Sequence, residues 1–357
     1  MRFGVYAETQ CPPEKSHYDL TWEIVRQMIH ADAVGFDSYS VIEHHFFPQF
    51  GISANPLAMF VAAAQHTKRL RFRTLCHTLP LHNPLVLAGA IAEADLLTQG
   101  RLECGLGRGH AWLFPAAGIP LGESRPRYEE ALDLLTLAWT QERFSYTGRY
   151  YNVKDVTVVP KPLQQPHPKL YMVGTSEASF LAAGTRGISI AAGAPVPYAI
   201  FAPGIDGYKK ECAKRGSTPD ISFIRLVYLD EDAQQIRKEA EQYVRNFLDF
   251  NASAIDSLAQ RKEELIATGY GFYTSGVAEQ FRHITYDQCI EEELCFLGTP
   301  EQVIAQIRRL NQQIGGLNEM VIISNFGGIE HWKAIKTQHL FAQYVMPVLR
   351  ETGGQTP

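Results

Sequence analysis

Apolar positions along this chain follow two periods that take turns. Short runs of strand length stand at residues 2–7, 37–42, 70–76, 101–106, 169–174, 188–192, 221–229 and 319–324. Helical spacing fills the gaps, as in the stripe Leu20, Ile24, Val25, Met28 and Ala31 that Gly35 stops. Asn55-Pro56 and Asn83-Pro84 mark helix starts, since a proline at the first helical position loses no backbone hydrogen bond. Thr299-Pro300-Glu301-Gln302 adds a capping box. The spacing predicts further helices over 123–141, from Ser176, around 208–214 and over 232–250, and an aromatic hairpin over 144–151.

Eight strands, each followed by a helix, call for a parallel sheet. That sheet is either a closed barrel or an open doubly wound one. The first strand–helix turn has no G-x-G-x-x-G, which weighs against an open dinucleotide-binding sheet. Residues 251–297 fit no additional unit and are expected to cross the barrel top as a lid. No repeat or linker interrupts residues 1–357, so a single domain is expected.

Composition narrows the classes. A net charge of −5, without a basic stripe, argues against nucleic acid and anionic membranes as partners. No apolar run approaches the length of a membrane span. Six cysteines without a C-x-x-C pair read as free thiols in a reducing, cytoplasmic setting.

Active sites of parallel α/β barrels lie at the carboxyl ends of the strands. Those ends carry Glu8, Glu43-His44-His45, Cys76-His77, Gly107-Arg108-Gly109, Gly174-Thr175-Ser176, Asp230 and Ser324. Side chains alternate along a strand, so His44 and His45 cannot both face the mouth. Neither H-x-H nor H-E-x-x-H occurs, and no metal is expected. Arg108 among glycines, and hydroxyls opening a helix at Ser176, both suit a phosphate. Each has a plainer reading, a closed loop and an N-cap. Strands four and five are neighbours, however, so both features face one point. Tyr6, Phe46, Trp112 and Phe114 suggest an apolar mouth.

Taken together these segments resemble the bacterial-luciferase-like flavin monooxygenases. The resemblance runs from Gly35-Phe36-Asp37 and Glu43-His44-His45-Phe46 through Leu79-Pro80-x-His82-x-Pro84. It continues through Gly100-Arg101-Leu102-x-x-Gly105-x-Gly107-Arg108-Gly109 and Gly298-Thr299-Pro300-Glu301-Gln302 to Val345-Met346-Pro347. It implies a (β/α)₈ TIM barrel, usually dimeric. In such a barrel reduced FMN from a separate flavin reductase meets O₂, gives a flavin 4a-hydroperoxide and oxygenates a hydrophobic carbonyl compound or hydrocarbon. Carried over by position, His44 is the catalytic histidine. Arg108, Gly174, Thr175 and Ser176 hold phosphate, with Arg125 or Arg127 as a second arginine, Arg125 preferred. A non-proline cis peptide would fall at Leu75-Cys76. Light-emitting members have a cysteine where this chain has Gly107, so light emission is not expected. A deazaflavin- or NAD(P)H-dependent oxidoreductase and a non-catalytic flavin binder are the alternatives.

Overall fold

The computed structural model describes residues 1–47, 50–193 and 195–352. Eight parallel strands close into a barrel: β1 (Arg2–Ala7), β2 (Ser38–Val41), β3 (Arg71–Thr78), β4 (Leu102–Gly107), β5 (Lys169–Val173), β6 (Ser189–Gly193), β7 (Ile221–Leu229) and β8 (Glu319–Asn325). They pair in chain order, and β8 returns to β1 with Glu319 opposite Arg2. The open-sheet alternative is thereby excluded. β7 is buried along its whole length, as a strand covered on both faces must be.

Local chemistry sets the helix ends. Ser16 caps His17–Val34 by accepting from the Asp19 N–H, and Gly35 ends that helix at φ 97°. Asn83 accepts from the N–H groups of Leu85 and Val86, whereas Asn55 makes no such bond and Pro56 alone marks its helix. In the capping box the Thr299 N–H donates to Gln302 at 2.9 Å.

Four elements differ from the sequence expectation. The helix expected over 208–214 runs Tyr198–Arg215, because Phe201, Ile205, Tyr208 and Cys212 keep one buried stripe through Pro203. The helix expected to end at 250 reaches Asp256, extended by buried Ala252 and Ile255. Short helices then follow (Lys262–Ala267, Val277–His283 and Tyr286–Glu291), and Cys295–Gly298 forms an extra parallel strand against the upper end of β7. The hairpin pairs Phe144–Thr147 with Asn152–Val156, leaving Tyr150 and Tyr151 in its turn.

One layer of the barrel interior is ionic. Arg73 of β3 donates to Glu103 of β4 at 2.8 Å, to Glu319 of β8 at 2.7 Å and to the Tyr171 hydroxyl of β5 at 3.1 Å. Ser38 and Ser222 donate to the Glu319 carboxylate at 2.6 and 2.5 Å. Arg73 and Glu319 are 1% and 0% exposed, so neither has water to fall back on.

Removing one partner of such a pair typically costs about 3–5 kcal/mol. Arg73→Met should therefore unfold at a clearly lower denaturant concentration near neutral pH. Burial pushes the Glu319 carboxyl up, but Arg73 outweighs it and holds the group at about 2. A depressed acid stabilises the fold above its ordinary value and loses that contribution as pH falls toward the depressed one. The stability gap between wild type and Arg73→Met should thus narrow as pH drops below about 4.5. Urea titrations over that range check this; a gap that stays constant overturns it.

Candidate active site

A cavity of about 360 Å³ opens at the carboxyl ends of the strands. Tyr6 and Glu8 line it from β1 and its end, Leu75 and Cys76 from β3, and Val173 from β5 with Gly174, Thr175 and Ser176 just beyond. The last three lead into the helix Glu177–Arg186, which Ser176 caps by accepting from the Ser179 N–H.

Two guanidinium groups converge at this end. Arg108 donates to the carbonyls of Thr268 and Gly269 at 3.1 and 3.0 Å and lies 4.2 Å over the Tyr270 ring. Burial, together with neighbouring Arg125, holds the Arg108 guanidinium below its usual value despite Tyr270. Arg125 stands at the start of the helix Ser124–Thr140 and lines the cavity. Among the described residues it makes no hydrogen bond or ion pair. Arg127, two positions on, is engaged elsewhere: it pairs with Glu123 at 2.7 Å and lies 4.7 Å over Tyr150. Of the two arginines in Ser-Arg-Pro-Arg, Arg125 is the one that lines the cavity.

The histidines are arranged in two groups. Glu43, 2% exposed, is a hub. It accepts from His45 Nε2, His77 Nδ1 and His82 Nε2, each at 2.8 Å. Burial pushes Glu43 up, but these three bonds prevail and hold it well below the usual carboxylate range. Glu43, His77 and His82 come close enough to suggest a metal centre, which the search for paired histidines on one strand missed. The spacing argues for hydrogen bonds instead. Ligands about 2.0–2.2 Å from a tetrahedral ion stand roughly 3.3 Å apart. A ligating imidazole also donates its second N–H, and His77 Nε2 is buried without a partner.

His44 belongs to the second group and does not line the cavity. It is 2% exposed with Nε2 unpartnered, and its ring stacks on His110 with centroids 5.5 Å apart. His110 stacks in turn on Trp112 at 4.1 Å, reaches the cavity wall, and shares a 2.8 Å hydrogen bond between Nδ1 and the Tyr273 hydroxyl. Burial keeps both imidazoles neutral, His110 down to about 4 and His44 well below its usual range. His110 and Tyr273 were not among the residues singled out from sequence. His110 lies two positions beyond Arg108 and was legible in principle. Tyr273 sits 163 residues further along, within 251–297, with no motif to flag it.

The apolar mouth needs correction too. Phe46 is 59% exposed, and Phe114 is buried in a separate cluster with Leu113, Leu121 and Tyr270. Of the four aromatics, Tyr6 alone reaches the cavity wall. Loop side chains follow no period, so the sequence did not encode their direction.

A family model described as luciferase-like monooxygenase matches residues 1–317. This chain belongs to the luciferase-like monooxygenase family. A crystal structure of monooxygenase RslO1 from Streptomyces bottropensis superimposes with a TM-score of 0.83 at 27% identity, covering 98% of this chain and 100% of that one. The oxygenase component of a flavin-dependent trigonelline monooxygenase from Acinetobacter baylyi is 24% identical over 261 residues, 69% of this chain and 71% of that protein. An F420-dependent glucose-6-phosphate dehydrogenase from Segniliparus rotundus is 33% identical over 160 residues, 43% of this chain and 47% of the other.

Within this luciferase-like frame, the glycine before Arg108 has a physical reason. The Leu75–Cys76 peptide is cis, and both residues line the cavity. A Cβ added at Gly107 would lie 2.4 Å from Cys76 Sγ. The space that a side chain at 107 needs is therefore already held by a thiol, which burial pushes up to about 12 and keeps protonated. Overpacking of this kind costs about 1–3 kcal/mol. Gly107→Cys should lower the melting temperature, and Cys76→Ala in the same chain should recover most of the loss. Thermal unfolding of the single and double variants checks this, and additive losses would refute the collision.

Proposed function

We propose that this chain is the oxygenase of a two-component system. It takes reduced FMN from a separate flavin reductase and uses O₂ to oxygenate a small or medium hydrophobic organic substrate. The observation that carries this reading is Arg125, a guanidinium that makes no hydrogen bond or ion pair among the described residues, beside Arg108 and the Ser176 helix start. Two cations and a helix N-terminus suit a phosphate monoester. Leu75, Val173, Ala191 and Ile224 continue the cavity as an apolar bed of the kind a flavin ring needs. The flavin-dependent oxygenase component among the relatives supports both the cofactor and the external reductase.

Bound reduced flavin supplies the electrons for oxygen activation. The chain's own part is to hold, orient and shield. Arg108, Arg125, Gly174, Thr175 and Ser176 grip the phosphate, while Leu75-Cys76 supports the ring. The expected lid 251–297 narrows to residues 257–294, since 251–256 continue the long helix and 295–297 pair with β7; within it Tyr270 and Tyr273 are laid against the loop after β4. His44, the histidine that the family pattern makes catalytic, acts through His110, whose ring stands between it and the cavity. No described helix is long and apolar enough to cross a membrane; a cytoplasmic homodimer is the assembly we expect. A deazaflavin cofactor is the second reading, favoured by the F420-dependent relative.

Titration with reduced FMN, oxidised FMN, riboflavin and F420 separates these readings. Reduced FMN should bind most tightly. A charge-assisted hydrogen bond contributes about 1.5–3 kcal/mol, so Arg125→Ala should weaken FMN roughly tenfold or more and riboflavin little. Arg127→Ala should change neither. Positioned acid–base groups contribute about 10²–10⁴-fold in rate; His44→Ala and His110→Ala should cut coupled oxygenation by that order with flavin affinity retained. Preference for F420 over FMN sinks the oxygenase reading.

Trypsin should cut first at Arg261, Lys262 or Arg282, within the lid, and more slowly once FMN is bound. First cuts elsewhere would remove the lid assignment.

A further inference from the structure

The cavity wall holds a buried acid, Glu8, that the flavin site does not use. Glu8 follows β1, and alternation along that strand puts its side chain on the face of Tyr6; both line the cavity. Glu8 is 6% exposed, and its Oε2 atom is buried with no hydrogen-bond partner among the described residues. A buried carboxyl oxygen without a partner is costly unless something else completes it. The ring-stacking histidines do not: His110 is tied to Tyr273, and the three imidazoles around Glu43 are spent on that residue.

We propose that Glu8, steadied by Tyr6, is the polar anchor for substrate, and that the substrate presents a neutral oxygen acceptor to the Glu8 carboxyl. This rests on the oxygenase reading above and gives its hydrophobic substrate one obligatory polar atom. A plain hydrocarbon would leave Oε2 unsatisfied. An anion is disfavoured, because Arg108 and Arg125 gather at the phosphate end beside Gly269 and the third cavity arginine, Arg186, is paired with Asp133.

Protonation is consistent with the role. Burial raises the Glu8 carboxyl to about 8, partly offset by the Tyr6 hydroxyl, so it carries a donor proton at neutral pH. The other titratable groups on this part of the wall are silent there. Burial holds Cys76 protonated up to about 12 and His110 neutral down to about 4. It also raises Tyr6 and Tyr273, and His44 behind the wall stays neutral. Glu43 is held ionised by its three histidines. A raised acid donates below its shifted value and stops donating as pH rises through it, so the anchor should fail above about pH 8.

The test compares cyclohexanone with methylenecyclohexane, which match in shape and differ in the acceptor oxygen. Affinities are measured by competition and thermal shift on the full chain, with reduced FMN affinity followed in parallel. Wild type should prefer the ketone roughly tenfold at pH 7, the order of one buried hydrogen bond. Glu8→Gln, which keeps a neutral donor, should retain most of that preference. Glu8→Leu should reduce it to about twofold or less, within the reach of shape alone. The preference should fall above pH 8 in wild type but not in Glu8→Gln. Flavin affinity should stay level across all three. The anchor is overturned if Glu8→Leu keeps the preference, or if it loses flavin while the preference persists. A wild type that binds reduced FMN but shows no ketone preference sinks the anchor alone. A wild type that prefers the ketone yet does not bind FMN sinks the oxygenase reading alone.

Discussion

The Arg73–Glu319 ion pair decides what this barrel can hold. Small parallel barrels usually fill their interior with layers of branched apolar side chains. Here one layer is a guanidinium shared by two carboxylates and closed by Ser38, Ser222 and Tyr171. Buried charge is tolerable only when paired and fully hydrogen-bonded, and this layer draws those partners from six of the eight strands. Gly4 is part of the arrangement, since a Cβ there would meet Ser38 Oγ at 2.4 Å and Glu319 Oε1 at 3.2 Å. Side chains alternate along a strand, so the residues two positions above this layer share its inward face. Those above Gly4, Arg73, Tyr171 and Ser222 are Tyr6, Leu75, Val173 and Ile224, all of which line the cavity. The ionic layer is the floor on which the site stands.

Above that floor the cavity is electrically lopsided. Charge on the Glu43 carboxylate is absorbed by three imidazoles, and burial keeps His44, His110 and Cys76 neutral. Arg108 and Arg125 are cations gathered at one end, where Glu129 balances them only in part, while Arg186 is paired with Asp133. In a poorly screened site, such an uneven charge governs orientation more than it adds affinity. A ligand with an anionic tail and a neutral body has one way to lie down in such a space.

Much of this was written in the sequence as period and position. The run at 221–229 is the seventh strand to the residue, because a strand buried on both faces is a nearly continuous apolar stretch, interrupted here by Ser222 and Arg225. Strand ends gave Arg108, Ser176 and Cys76 as positions at the mouth, and the family resemblance added Leu75. What periodicity did not carry is contact between loops. His82 meets Glu43 across 39 residues, and Tyr273 meets His110 across 163. Both contacts depend on how excursions fold back over the barrel. The same gap explains Phe46 and Phe114, loop residues that do not line the cavity: the first is exposed and the second is buried in a separate cluster. Cys295–Gly298 was missed for another reason, since four residues are too few for a period to declare itself.

Arg108 joins the two halves of this picture. A guanidinium offers five N–H donors, and the carbonyls of Thr268 and Gly269 take one from each terminal nitrogen. Three remain, on a side chain whose Cζ already lies 4.2 Å over the Tyr270 ring. Those carbonyls fix the plane of the fork, and fixing the plane removes rotamer freedom that an anion would otherwise have to remove on binding. The backbone at 268–269 and an anion on the free edge are therefore not rivals for Arg108; each finds it better ordered for the presence of the other. Linkage is reciprocal, so whatever docking of this segment contributes to holding the anion, the anion returns in holding the segment down. Arg125, which makes no hydrogen bond or ion pair among the described residues, lines the same cavity beside Arg108 and is free of any such coupling to the segment.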